Sequence, residues 1–272
     1  MVASQISPTE SLSPKLLTSD LVLHVSPNGS DETGDGTEEK PFASADYAVT
    51  WANSNCDFGE RFDLYVKLAP GTYDAIQIYG QAARQVHLIG EPDNPGAVQV
   101  KVLREEAVFG LAVSFYSFVS VVGIDIASVI VTGFSHLLIN KCYLSPSIAP
   151  ALVLCSNHST IDFDSAKVKA GRIGNDREST CYRCEVHSHI EVEQVEYEAT
   201  VECNTFCDAR FLSSIYVRGD SKTKNNVKVN QSARAITQSI VSDSDYLPKD
   251  SSTPNLATSG GLVDDLNDSG LE

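Results

Sequence analysis

The sequence predicts an all-β chain, a solenoid of short stacked strands with a short N-terminal capping helix and extended terminal tails. Three observations predict it. Apolar residues alternate with polar ones in short runs, the runs return about every 20 to 30 residues, and Pro, Gly, Asn and Asp mark the corners between them.

Residues 1–20 are rich in Ser, Thr and Pro, lack strong periodicity and read as an extended arm. Leu21-Val22-Leu23-His24-Val25 is a strand that runs into Pro27, Asn28, Gly29, Gly34 and Gly36, residues that stop and reverse a strand. After Pro41, the residues Phe42, Ala45, Ala48, Val49 and Ala52 fall at helical spacing, so a helix is expected over residues 43–53 with Ser44 as N-cap. Leu64-Tyr65-Val66-Lys67-Leu68 is the next strand, and Pro70-Gly71 turns it toward Ile76-Gln77-Ile78 and then Val86-His87-Leu88-Ile89-Gly90.

The order Val25-Ser26-Pro27-Asn28-Gly29-Ser30-Asp31, Gly36-Thr37, Lys40-Pro41-Phe42, helix, Ala69-Pro70-Gly71-Thr72-Tyr73, Val86-His87-Leu88-Ile89-Gly90 resembles the N-terminal segment of the pectate-lyase-like superfamily. That superfamily includes polysaccharide lyases and bacteriophage tail spikes and fibres. The resemblance covers about 70 residues closely, and the rest as a repeat pattern. It implies a right-handed single-stranded parallel β-helix, and the same architecture serves enzymes, adhesins and inert virion parts. Three parts are expected: an N-terminal arm (1–20), a parallel β-helix domain of six or seven turns (21–235) and an acidic low-complexity tail (236–272).

Charge narrows the partners. Lys plus Arg number 20 against 36 Asp plus Glu, a net charge of −16, which argues against nucleic acid and anionic membranes as partners. The N-terminus shows no basic region and no apolar signal core, as expected of a virion protein made in the host cytoplasm and released by lysis.

From Val86 the repeat is visible in His136-Leu137-Leu138-Ile139-Asn140, His158-Ser159-Thr160-Ile161-Asp162 and His189-Ile190-Glu191-Val192-Glu193. His136 and His158 are 22 residues apart and His158 and His189 are 31 apart, the excess falling on a polar insertion at residues 167–180. His136, His158 and His189 are therefore expected to stack as a polar ladder, about 4.8 Å apart from one turn to the next. Glu191 with Glu193, and Glu196 with Glu198, alternate with apolar residues and read as solvated outer faces.

An enzyme on this fold needs carboxylates outside the helix, holding calcium in a lyase or working as acid and base in a glycosidase. Asp125, Asp162, Asp164 and Arg172 are the candidates, Asp162 and Asp164 sharing a face by their spacing. No lyase catalytic motif matches them residue by residue.

Cys181-x2-Cys184 and Cys203-x3-Cys207, with His187 and His189 between, approach the spacing of a structural zinc site. The intervals of 22 and 23 residues between the pairs also equal one turn, which would place Cys181 over Cys203 and Cys184 over Cys207. A ladder of buried thiols, disulfides within or between subunits, and zinc all fit that spacing; with seven cysteines in the chain, at least one stays unpaired in a bridged monomer. Arg218-Gly219-Asp220 spells an integrin-binding tripeptide, but it reads as an ordinary turn after a strand.

The expected function is that of a bacteriophage virion structural protein, a tail, neck or fibre-associated component that docks to other virion proteins through its tails. The resemblance to tail spikes implies a homotrimer. The alternatives are a polysaccharide lyase or glycosidase, and a non-catalytic adhesin that binds host surface polysaccharide. No cofactor is expected, with calcium or zinc as the alternatives named above.

Overall fold

A computed structural model describes residues 14–104, 107–174, 179–198, 200–217, 227–242, 251–253, 256–258 and 261–264. These residues are predominantly β, with one α-helix, Ala45–Asn55, and every described strand pair is parallel. Among them no helix is long and apolar enough to cross a membrane.

One sheet runs in chain order through Leu21–Val25, Leu64–Leu68, Val86–Ile89, Phe118–Val122, His136–Leu144, Thr160–Val168, His189–Val192, Ser214–Val217, Ile240–Ser242 and Leu262–Asp264. A second runs through Ile76–Tyr79, Leu111–Ser114, Val129–Val131, Ala151–Ser156, Thr180–Glu185, Val201–Arg210, Val227–Ile236 and Ser251–Thr253. The two advance in step: His136 pairs with Thr160 as Val129 pairs with Val153, and His189 pairs with Ser214 as Thr180 pairs with Thr205. Each repeat of the chain thus adds one layer to both sheets.

Alternation along the strands makes the core. Val119, Leu137, Ile161, Ile190, Ile215 and Val241 occupy one register position in successive strands and are all fully buried. Burying each such aliphatic side chain contributes roughly 1.5–3 kcal/mol relative to leaving it in water.

The N-terminal motif forms one interlocked cap. The Asp31 carboxylate accepts the backbone N–H groups of Ala43 (2.7 Å) and Ser44 (3.1 Å) and the Ser44 hydroxyl (2.7 Å). Asp31 therefore satisfies the start of the helix from a distant loop, while Ser44 keeps the extended N-cap backbone but makes no side-chain cap of its own. The helix begins two residues later than the expected 43–53 for this reason. Gly71 has φ +149°, and a Cβ there would stand 2.4 Å from Pro27 Cγ, so the two turn motifs touch where only glycine fits. The Tyr73 hydroxyl donates to the carbonyls of Ala69 (2.7 Å) and Val25 (3.2 Å), and burial pushes its pKa up.

Both expected ends are displaced. Lys15–Leu16 of the arm pairs with Cys56–Asp57, so pairing begins before residue 21. Past Ala235, Ile240–Ser242 and Leu262–Asp264 continue the first sheet, and Ser251–Thr253 and Leu256–Thr258 pair with Val227–Ile236. Short apolar stretches such as Ile240-Val241 and Leu262-Val263 are enough to extend a sheet already templated by its neighbour, although Ser and Asp dominate the local composition. Arg218-Gly219-Asp220 lies outside the described residues.

Candidate functional site

Because Leu137, Ile161, Ile190 and Ile215 point inward, their sequence neighbours point outward. His136, Thr160, His189 and Ser214 form one outer column, and Leu138, Asp162, Glu191 and Tyr216 form the next. Each histidine is held by a hydroxyl in the neighbouring strand: His136 Nδ1 lies 2.5 Å from Thr160 Oγ1, and His189 Nδ1 lies 2.8 Å from Ser214 Oγ. The opposite nitrogens face carboxylates, His136 Nε2 at 3.6 Å from Asp162 Oδ2 and His189 Nε2 at 4.0 Å from Glu191 Oε2. One ligand atom each from Asp162, His189 and Glu191 lies within 4.8 Å of the other two. Tyr216 flanks the group, its ring centroid 5.3 Å from that of His189.

A related unit sits nearer the cap. His87 Nδ1 meets Ser120 Oγ at 2.6 Å, its Nε2 lies 3.4 Å from Asp63 Oδ2, and Tyr65 stacks on its ring at 4.4 Å. Hydrogen bonds from Arg84, with a smaller contribution from His87, hold the Asp63 carboxyl below its ordinary pKa against the cost of burial.

Immediately before the outer column, the chain makes the same turn repeatedly. Phe115 and Tyr116, Gly133 and Phe134, Asn157 and His158, Val186 and His187, Phe211 and Leu212, and Thr237 and Gln238 all have positive φ, and a buried serine follows each pair. The second residues stack outside the sheets: Tyr116 on Phe134 (5.2 Å), Phe134 on His158 (4.8 Å) and His158 on His187 (4.8 Å). With Phe115 (64% exposed), Tyr116 (68%) and Phe211 (50%), they form an exposed aromatic ridge.

The expected ladder of His136, His158 and His189 is therefore split. His136 pairs with Thr160, so His158 falls two residues outside that register and joins the ridge, while His136 and His189 share the outer column with Thr160 between them.

The cysteine register also differs. Cys207 lies opposite Tyr182, and Cys184 lies between Cys155 and Ala209, because neighbouring strands here are offset by 25 residues instead of 22 or 23. All seven cysteines are free and buried, whereas His187 is on the ridge and His189 on the outer face, so the suspected zinc set does not converge. Burial pushes the thiols of Cys142 and Cys203 up to about 12; it raises Cys181 as well, with Cys203 and Cys207 nearby adding to the shift.

The four candidates for polysaccharide chemistry are dispersed. Asp125 is buried, ion-paired to Lys169 at 2.6 Å and accepting from Ser145 Oγ at 2.6 Å. Asp164 sits at a register shift in its strand and is exposed, leaving Asp162 in the outer column without it. Arg172 belongs to the second sheet, opposite Glu202. Of the four, only Asp162 enters a cluster of functional groups.

Two further features escaped the sequence reading. Asp208 is fully buried and is bound by Arg234 (Nε to Oδ1 2.9 Å) and Arg210 (2.6 Å), with Arg183 at 3.5 Å. Burial pushes its carboxyl up, but the hydrogen bonds and charges of Arg234 and Arg210 outweigh this and leave the pKa lowered. An open groove of about 760 Å³ lies between the turn at Pro92–Pro95 and the outer face, lined by Lys141, Tyr143, Lys167 and Glu196.

No protein-family model, curated protein or solved structure matches this chain.

Proposed function

We propose that the chain is a right-handed single-stranded parallel β-helix and a structural component of a bacteriophage virion, tail-, neck- or fibre-associated, that works as a homotrimer. The interlocking of Asp31, Pro27, Gly71 and Tyr73 supports the fold, because these residues carry the resemblance and form one cap. The observation that carries the assembly is the aromatic ridge. Exposed apolar surface that is contiguous across several layers marks an interaction face in a soluble protein, and aromatic residues are enriched where subunits meet. Lateral contact between copies would cover Phe115, Tyr116, Phe134 and Phe211 along the stack.

Sedimentation equilibrium tests this reading. A trimer that Phe134→Asp with Phe115→Asp converts to folded monomers supports it; a monomeric wild-type chain, or a trimer indifferent to both changes, overturns it. Recovery of the chain in gradient-purified particles tests the virion assignment separately.

The groove favours a second reading, a non-catalytic adhesin. Its mix of an aromatic ring, lysines and a carboxylate is suited to an acidic or hydroxyl-rich glycan. Binding of host surface polysaccharide that Tyr143→Ala abolishes, without release of reducing ends or unsaturated sugars, would select that reading.

A further inference from the structure

We infer that Asp162, His189 and Glu191, with His136 beside them, form a binding site for a divalent transition-metal ion of the zinc type on the outer face of the first sheet. Three features on three adjacent strands point to this. The ligand atoms of Asp162, His189 and Glu191 already lie within 4.8 Å of one another, although the residues are far apart in sequence. Donors around a tetrahedral zinc with bonds of about 2.0–2.2 Å are separated by roughly 3.5 Å, so the side chains need to draw in by only about 1 Å. Each is about a third exposed, which leaves room for that adjustment.

The histidines are also oriented from behind. A metal-ligating imidazole characteristically uses its second nitrogen in a hydrogen bond that fixes the ring and its tautomer. Ser214 Oγ at 2.8 Å from His189 Nδ1 and Thr160 Oγ1 at 2.5 Å from His136 Nδ1 occupy those positions, leaving both Nε2 atoms on the carboxylate side.

The donor chemistry selects the ion. Imidazole nitrogen with carboxylate oxygen suits zinc and its neighbours in the first transition row, whereas calcium takes six to eight oxygens. The site is separate from the thiols, which are interior and held protonated by burial. A bound ion would tie strand Thr160–Val168 to His189–Val192 and keep a coordination position open to solvent.

The test is titration of the full chain with Zn²⁺ by calorimetry, with Co²⁺ as a spectroscopic probe. The expected result is one ion per chain, a raised melting temperature in the wild type, and affinity weakened at least about tenfold by His189→Ala, Asp162→Asn or Glu191→Gln. His187→Ala, which alters an exposed histidine of the ridge, should leave binding unchanged. Circular dichroism checks each variant, and any one that folds is sufficient because the three make the same prediction. Failure of the wild type to saturate, binding indifferent to these substitutions, or a thiolate charge-transfer band in the Co²⁺ spectrum would overturn the site.

Discussion

The backbone N–H of Ser159 donates to the hydroxyl of Ser188, 29 residues on, at 3.2 Å. The same bond joins Ser117 to Ser135, Ser135 to Ser159, Ser188 to Ser213 and Ser213 to Ser239, over intervals of 18 to 26 residues. The donor–acceptor distance stays at 3.1–3.2 Å while the intervening length changes, so the serines keep the turns aligned whatever the connecting loops do.

Ser188→Ala should therefore cost about 1–3 kcal/mol, since it strands the buried amide of Ser159 without an acceptor. Chemical denaturation measures it. A loss under 0.5 kcal/mol, typical of a surface change, would mean that the ladder contributes little.

Asp208→Asn should destabilise by about 3–5 kcal/mol at neutral pH, because it removes the charge to which Arg210 and Arg234 are bound. The folded pKa of Asp208 is lowered from 3.8, so its contribution is complete above the unfolded value and fades as pH falls through the folded one. The gap in melting temperature between wild type and variant should accordingly close below about pH 4. A gap independent of pH would assign the loss to packing.

In the cap, Asp31→Ala should cost about 1–2 kcal/mol, as removal of a helix N-cap does. Gly71→Ala should be at least as harmful, since a Cβ meets the Pro27 ring and the backbone is in a region side chains avoid. Thermal melts of both variants, set beside Gly59→Ala where a Cβ meets nothing within 4 Å, separate steric conflict from backbone strain.

Thiol titration at pH 8 should find the native protein nearly inert and the denatured protein with all seven cysteines reactive. Fewer than seven after denaturation without reductant would revive the disulfide alternative.

The fold was legible where the pattern is local. Alternation placed Leu64–Leu68, Val86–Ile89 and His189–Val192, and the turn motifs placed the cap. Register was not, because the interval between layers changes from 18 to 24 to 29 residues, and chance spacings such as Cys181 to Cys203 imitate it. Asp162 and His189 were both singled out, but with the wrong companions, Asp164 and the cysteines. The pattern that unites them, a polar pair flanking one buried aliphatic residue in Thr160-Ile161-Asp162, His189-Ile190-Glu191 and Ser214-Ile215-Tyr216, becomes visible only once Ile161, Ile190 and Ile215 are aligned. Likewise, six different residue pairs adopt the left-handed turn, and only the serine after them is constant.

Because each strand of the main path pairs with the one a layer earlier, the separations between partners are on the order of a tenth of the chain length, a value more usual for helical bundles than for β proteins. A growing polypeptide could therefore complete this stack in the order of synthesis, each new layer docking on one already made while the remainder is still on the ribosome. The Asp31 and Gly71 cap comes first in that sequence and supplies the template edge. An error there would propagate through every later layer, whereas an error near residue 240 would leave most of the molecule intact.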